Sequence, residues 1–598
     1  IVLAKNYNGY KNLIKLVSNS WVDGYYMRPR TDRADLEKYH EDLIVCSACI
    51  AGEVPAKILK GDIAGAREAC EWYHNLFGDD YYLELQRHKV PDDPSLLANR
   101  EAYELQQKAN KVLIEFAREY GIKLVCTNDC HFEDKETAEA HDHLLCIATG
   151  KDLDDPNRMR YSKQEWFKTR EEMNEVFADV PEALSNTLEV LDKVEIYSID
   201  HGPIMPFFPI PEGFGTEEQL RQKVSEEDLY REFTTDENGE NQLSPEEGQK
   251  VIDRLGGYDK IYRIKFEAEY LRHLAYEGAR KLYGDPLPEN VDEHVNFELH
   301  VMKTMGFPGY FLIVSDFIRA AREELGVMVG PGRGSAAGSV VAYCLGITKI
   351  DPLKYDLLFE RFLNPDRVNL PDIDTDFDDD GRGKVLRWVM DKYGHENCAH
   401  IITYGSMATK NSIKDVARVE KLPLDKANAL CKAIPDRLPD GAKMNLANAI
   451  KYTPELKEAE YSSDPRESNT IKYARMLEGT IRGTGIHACG FIICRDPISN
   501  WVPVSTADDP DFPGLKTAVT QYDGHVIETT GLIKMDFLGL KTLSEMKEAC
   551  KVIKQTTGDV VDLDTIPIDD ELTYQLYQRG QTIGTFQFES PGMQKYLR

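Results

Sequence analysis

The chain has 598 residues, which at roughly 150 residues per domain predicts about four domains. Its 42% hydrophobic and 29% charged residues are globular in balance, and no uninterrupted apolar run approaches the ~18 residues of a membrane span. The net charge of -30 excludes a surface coated in basic charge but leaves room for a local basic groove.

The first two hundred residues alternate strand-like and helical runs, the pattern of repeated β/α units. EDLIVCSAC (Glu41 to Cys49) and IKLVCTNDC (Ile122 to Cys130) are short apolar strands ending in polar residues, and AGAREACEWYHNLFG and REAYELQQKANKVLIEFAREYG are helices stopped by Gly. Chemistry in such folds sits at strand ends, which singles out Cys46, Cys49, Asp129, Cys130 and His131. Twelve cysteines without a signal-type N-terminus fit a reducing cytosol. A zinc tetrathiolate from Cys46, Cys49, Cys126 and Cys130 is the alternative to buried packing residues, and packing is favoured. Residues 201–288, Pro-rich and then polar, read as a linker plus a surface insertion. A mixed α/β region follows over 289–405, a helix-rich charged one over 406–482, and strands return over 483–545, so a sheet is interrupted and resumed. Residues 546–598 begin another unit. Abrupt ends, IVLAKNYNGY and FQFESPGMQKYLR, read as a piece of a longer protein.

NLPDIDTDFDDD (Asn369 to Asp380) is the most informative stretch. As a strand, its period of two puts Ile373, Thr375 and Phe377 on one face and Asp372, Asp374 and Asp376 on the other. Carboxylates ~7 Å apart along that face can clasp divalent cations between them. An acidic solvated edge is the plain alternative, and the apolar alternation argues against it. In GLIKMDFLGL, Ile533, Met535 and Phe537 point one way while Lys534 and Asp536 point the other. This offers a further acid beside a cation suited to phosphate. Upstream, VMVGPGRGSAAGSVVAYCLG runs from a short strand (Val327 to Val329) through a glycine turn into a helix expected to open near Ser335. Close backbone approach, helix N–H groups, the Ser335 hydroxyl and the Arg333 guanidinium would suit phosphate. The pattern is neither a P-loop nor a dinucleotide fingerprint. Lys410, Lys414 and Arg418 recur every four residues on one helix face, facing either solvent or nucleic-acid phosphates.

GPGRGSAAGS, LLFERFLNPDR, LPDIDTDFD, ITYGSMATK, GIHACG and IKMDFLGL, in this order, resemble the C family of bacterial replicative DNA polymerases, the DNA polymerase III α-subunit type. The resemblance spans essentially the whole chain. It implies catalytic aspartates at Asp374, Asp376 and Asp536 with two Mg²⁺, and Gly334 and Ser335 facing the nucleotide triphosphate. The implied fold is multidomain α/β and α+β: a PHP-type distorted β/α barrel over 1–200, a polymerase-β-like nucleotidyltransferase palm over 289–405 and 483–545, a helical thumb inserted within it over 406–482, and the start of the fingers over 546–598. Cys49, Asp129 and His131 match part of a PHP metal cluster, with Zn²⁺ or Mn²⁺ and a 3′–5′ exonuclease activity implied for the intact protein. The implied partners are primer–template DNA, deoxynucleoside triphosphates, the sliding clamp, the clamp loader and a proofreading exonuclease subunit, in a cytoplasmic replisome and not at a membrane. A PHP phosphoesterase or a non-catalytic scaffold are the competing functions. His487 and Cys489 of GIHACG receive no role, and the fragment itself is expected to polymerise weakly or not at all.

Overall fold

Strands without polar alternation must be covered on both faces, and the first apolar runs obey this. In the computed structural model, which describes residues 1–92, 99–240, 243–364 and 371–598, β2 (Leu43–Cys46) and β3 (Tyr81–Gln86) are buried at every position. With β1 (Val2–Ala4) and β4 (Lys123–Thr127) they form a four-stranded sheet in the order β1-β2-β3-β4. β2, β3 and β4 are parallel and β1 is antiparallel to β2. The intervening helices Ile63–Phe77 and Glu101–Tyr120 end at Gly78 and Gly121, whose φ values of 55° and 69° only glycine adopts without strain.

The chain forms two compact units, one of residues 1–199 and 403–485 and the other of 200–402 and 486–598. In the first, five helices between Thr409 and Leu477 enclose a core around Ile413, Val416, Leu446 and Ile471, to which the helix Ala138–Thr149 contributes Ala140, Leu144 and Ile147.

Most of a six-stranded sheet, β5-β10-β7-β6-β9-β8, lies in the second unit. Its strands are β5 (Thr375–Asp378), β6 (Cys398–Ser406), β7 (Ile481–Ile493), β8 (Val504–Asp508), β9 (Lys516–Asp523) and β10 (Lys534–Leu540). β10 pairs parallel with β5 and antiparallel with β7. The face expected to be apolar is so: Phe377, Phe537 and Phe491 are fully buried with Phe317, ring centroids 4.6 to 5.8 Å apart from Phe537. Such rings contribute about 2–3 kcal/mol each by burial.

Two expectations change. Residues 201–288 are largely helical rather than linker and surface insertion. Leu271, Ala275 and Ala279 of the helix Tyr258–Tyr283 lie in the same core as Phe377 and Phe537, because their four-residue spacing makes one apolar stripe that the surrounding polar sequence obscures. The α-helix expected near Ser335 begins at Val340, after a 3₁₀ turn over Gly334–Gly338. Residues 365–370, part of the LLFERFLNPDR and LPDIDTDFD strings, lie outside the described residues. No helix among the described residues is long and apolar enough to cross a membrane.

Candidate active site

The parallel register of β5 and β10 sets Phe537 beside Thr375 and Leu538 beside Asp376. One step back, Asp536 falls next to Asp374 on the polar face of neighbouring strands, which lie ~4.8 Å apart. Carboxylate oxygens of Asp372, Asp374 and Asp536 all lie within 4.8 Å of one another. Three acids from two segments 160 residues apart thus share one small volume. Burial, with Asp372 and Asp536 close by, pushes the Asp374 carboxyl above its usual range. Asp536 is 8% exposed; its Oδ2 meets Lys534 Nζ at 2.9 Å, and its Oδ1 is buried without a hydrogen-bond partner. An orphaned carboxylate oxygen inside a crowded acid group fits a divalent cation, as does the all-oxygen donor set.

Asp376, expected as a member of the group, is buried on the same strand, but Arg333 holds it instead: Nε donates to Oδ2 at 3.0 Å and a terminal nitrogen to Oδ1 at 2.5 Å. The glycine turn is therefore tied directly to the acid strand. Val327 to Val329 lie along the free edge of β5, with Gly330 N–H donating to the Asp376 carbonyl at 2.9 Å and Asp378 N–H to the Met328 carbonyl at 2.9 Å. A Cβ on Gly330 would stand 3.0 Å from the Asp376 Cβ, so this close approach requires glycine. Gly334 (φ 67°) and Ser335 are exposed at the turn. The helix N-terminus is not open to phosphate. Buried Glu298 accepts from the Ser339 hydroxyl and from Val340 and Val341 N–H at 2.7 to 2.9 Å, so any cradle is the turn itself with Arg333. Burial lifts the Glu298 carboxyl to about 7.

The basic stripe is divided. Arg418 donates to the Cys146 carbonyl at 3.1 Å and to the Lys151 carbonyl at 3.4 Å, at the C-terminal end of the helix Ala138–Thr149, where the Cys146 carbonyl also accepts from Gly150 and Lys151 N–H. Lys410 meets Asp436 at 3.4 Å, and Lys414 is exposed. Sequence periodicity finds a shared face but not which cations the neighbouring chain consumes.

At the ends of β2, β3 and β4, Asp129 (φ 45°) and His131 come together, Oδ1 to Nε2 3.4 Å, both partly exposed. Cys49 does not join them: the close donor groups among the described residues are those around Asp536. All twelve cysteines are free, with Cys46 and Cys126 buried. Sequence reading passed over Glu84, a buried carboxylate on β3. It accepts from Ala48 N–H at 3.1 Å and from the Thr127 hydroxyl, and so links the strand ends. It also passed over Asp378, fully buried, which takes Lys547 Nζ at 3.1 Å and Met328 N–H at 2.5 Å. The burial of a single member of an acidic run is not visible in its composition.

Comparison with known proteins gives three family matches along the chain. Residues 1–88 match the PHP domain, 269–539 the bacterial DNA polymerase III alpha NTPase domain, and 542–598 the bacterial DNA polymerase III alpha subunit finger domain. Among curated proteins, DNA polymerase III subunit alpha of Thermus aquaticus is 40% identical over 100% of this chain and 48% of its own length. Those of Borreliella burgdorferi and Campylobacter jejuni are 40% and 38% identical, over 100% and 99% of this chain and 46% of their own lengths. The chain thus spans about half the length of the curated relatives it matches. With the acid group, the glycine turn and these matches in sequence order, the chain belongs to the bacterial DNA polymerase III alpha-subunit family.

Proposed function

We propose that this chain carries the nucleotidyl-transfer centre of a template-directed DNA polymerase of bacterial chromosome replication, joining a deoxynucleoside triphosphate to a primer 3′-hydroxyl. The observation that carries it is the convergence of Asp374 and Asp536, with Asp372, beside the Arg333 turn. Asp374, Asp536 and Asp376 would hold two Mg²⁺, which when bound make the 3′-hydroxyl more acidic and offset charge on the triphosphate and leaving pyrophosphate. Asp376 becomes available as Arg333 turns from it to phosphate, and Lys534 turns likewise from Asp536. Both cations are thereby kept at the acid group when no other cation neutralises it. Gly334 and Ser335 offer backbone N–H and hydroxyl donors at the exposed turn. The phenylalanine floor fixes the two acid strands in register, so the reacting groups meet a rigid surface. Lys414, and Lys410 once parted from Asp436, contact duplex phosphates.

The partners follow from the family: primer–template DNA, deoxynucleoside triphosphates, sliding clamp, clamp loader and a proofreading exonuclease subunit, in a cytoplasmic, nucleoid-associated replisome. A second reading, a PHP metal site with Zn²⁺ or Mn²⁺ and 3′–5′ exonuclease activity, is supported by the Asp129–His131 pair, with Cys49 as its further candidate ligand. Primer extension by Asp374→Asn, in a chain of full family length, tests the first reading, and undiminished extension would overturn it. Metal-dependent 3′-end degradation that survives Asp374→Asn but is lost in His131→Ala would establish the second. Calorimetry showing tight binding of replisome partners with no Mg²⁺ or deoxynucleotide affinity would favour a scaffold instead.

A further inference from the structure

GIHACG is a motif that the proposed transfer chemistry leaves without a task. β7 meets β10 with Gly490 opposite Asp536. Within the same strand, His487 Nδ1 accepts the N–H of Gly490 at 2.7 Å and of Cys489 at 3.3 Å. A Cβ at position 490 would lie 2.8 Å from Ile401 Cδ1 and 3.0 Å from His487 Nδ1. The fold brings Cys489 Sγ to 3.6 Å from His487 Nδ1, and a ligand atom of each lies within 4.8 Å of an Asp536 carboxylate oxygen. Tetrahedral coordination with Zn–N of ~2.05 Å and Zn–S of ~2.3 Å separates nitrogen from sulfur by about 3.6 Å. The pair already stands at that spacing.

We propose that His487, Cys489 and Asp536 form a binding site for a soft divalent transition metal of the Zn²⁺ class, sharing Asp536 with the all-carboxylate group. The donor chemistry separates the two sites. Asp372, Asp374 and Asp536 offer only oxygen and suit a hard cation, whereas nitrogen, sulfur and one oxygen suit Zn²⁺ or Co²⁺ with a fourth position open to water. The buried Asp536 Oδ1, without a hydrogen-bond partner, is open to a cation on either side. On binding, the thiol S–H bond breaks, its proton leaves to solvent and its sulfur pair forms the metal bond. His487 Nδ1 exchanges its backbone N–H bonds for the metal with the same lone pair. Because the metal binds the thiolate, uptake is accompanied by release of the thiol proton. Competition between the two sites rests on the reading of Asp536 as a Mg²⁺ ligand; the soft-metal site does not.

Co²⁺ titration of the purified chain tests the site, read by thiolate-to-cobalt charge-transfer absorption. The expected result is a saturable band at one Co²⁺ per chain, abolished in Cys489→Ser, weakened at least tenfold in affinity in His487→Ala and in Asp536→Asn, and kept in Cys130→Ser, which removes an exposed cysteine elsewhere. A band unchanged in Cys489→Ser, or no thiolate band in a chain whose circular dichroism shows it folded, overturns the proposal. Undiminished primer extension by Asp374→Asn in the full-length polymerase would overturn the polymerase reading while leaving the cobalt band and this site standing.

Discussion

Two sets of strand ends carry metal-binding residue types in this molecule, and they differ in how far they converge. At β5 and β10, three carboxylates from segments about 160 residues apart come within 4.8 Å, with Lys534 paired to Asp536 itself and Arg333 to the neighbouring Asp376. At β2, β3 and β4, Asp129 and His131 meet at 3.4 Å while Cys49 joins no close donor group among the described residues, and the buried Glu84 is occupied in linking the strands. Residue types alone do not make a site. An aromatic floor and a fixed parallel register bring the first set together, whereas the second is held by hydrogen bonds that use up its central acid.

The comparison breaks if the two regions respond alike. Replacing Asp374 or Asp536 by Asn in the full-length polymerase is expected to lower primer extension by about 10³-fold or more, since each loses an interaction worth several kcal/mol in the transition state. Asp129→Asn should leave extension within about twofold. Steady-state primer-extension rates decide it, and equal losses would end the distinction. The floor comes next: Phe537→Ala should destabilise the second unit by about 3–5 kcal/mol through its cavity, seen in denaturant unfolding followed by a probe in that unit. A loss under about 1 kcal/mol would mean that the rings do not fix the acid strands.

Glu298 sharpens the account of the glycine turn through pH. Its carboxyl rises to about 7 in the folded protein, against about 4.3 in an unfolded chain. A raised carboxyl binds its proton on folding, so its stabilising contribution is full below about pH 4 and is lost as pH climbs through 7. Between those limits the wild type should lose about 3 kcal/mol more stability than Glu298→Gln. Unfolding curves at pH 5 and pH 8 measure the difference, and equal losses in both proteins would contradict it. The smallest effect separates the cations of the basic stripe. Arg418→Ala should cost about 1 kcal/mol of stability through loss of its hydrogen bonds to the Cys146 and Lys151 carbonyls. Lys414→Ala should leave stability within about 0.5 kcal/mol and reduce the salt slope of DNA binding by about one. Thermal unfolding and salt-dependent fluorescence anisotropy would show the split.

The parts of the molecule legible in sequence were those governed by short periodicities. Alternation in PDIDTDF and GLIKMDF placed Phe377, Phe537 and the acids on opposite faces, and glycine stops at Gly78 and Gly121 bounded the helices. What periodicity could not supply was partner choice across long separations. Nothing local shows that Arg333 takes Asp376, that Glu298 occupies the helix end after the glycine turn, or that Arg418 engages a helix 270 residues earlier. The helix Tyr258–Tyr283 was missed for another reason: its buried stripe is narrow, and the Pro-rich and acidic segments before it dominate the composition. His487 and Cys489 were set aside as packing residues because alternation puts them on one face of β7 but does not show that β10 pairs there and brings Asp536 to them.

The central claim is that Asp374 and Asp536 hold a divalent cation between them. Crystals of the chain grown with Mn²⁺ and measured at the manganese absorption edge test it most directly. The account predicts an anomalous peak within about 2.0–2.3 Å of carboxylate oxygens from both residues, and a peak elsewhere, or none beside an ordered acid group, would contradict it.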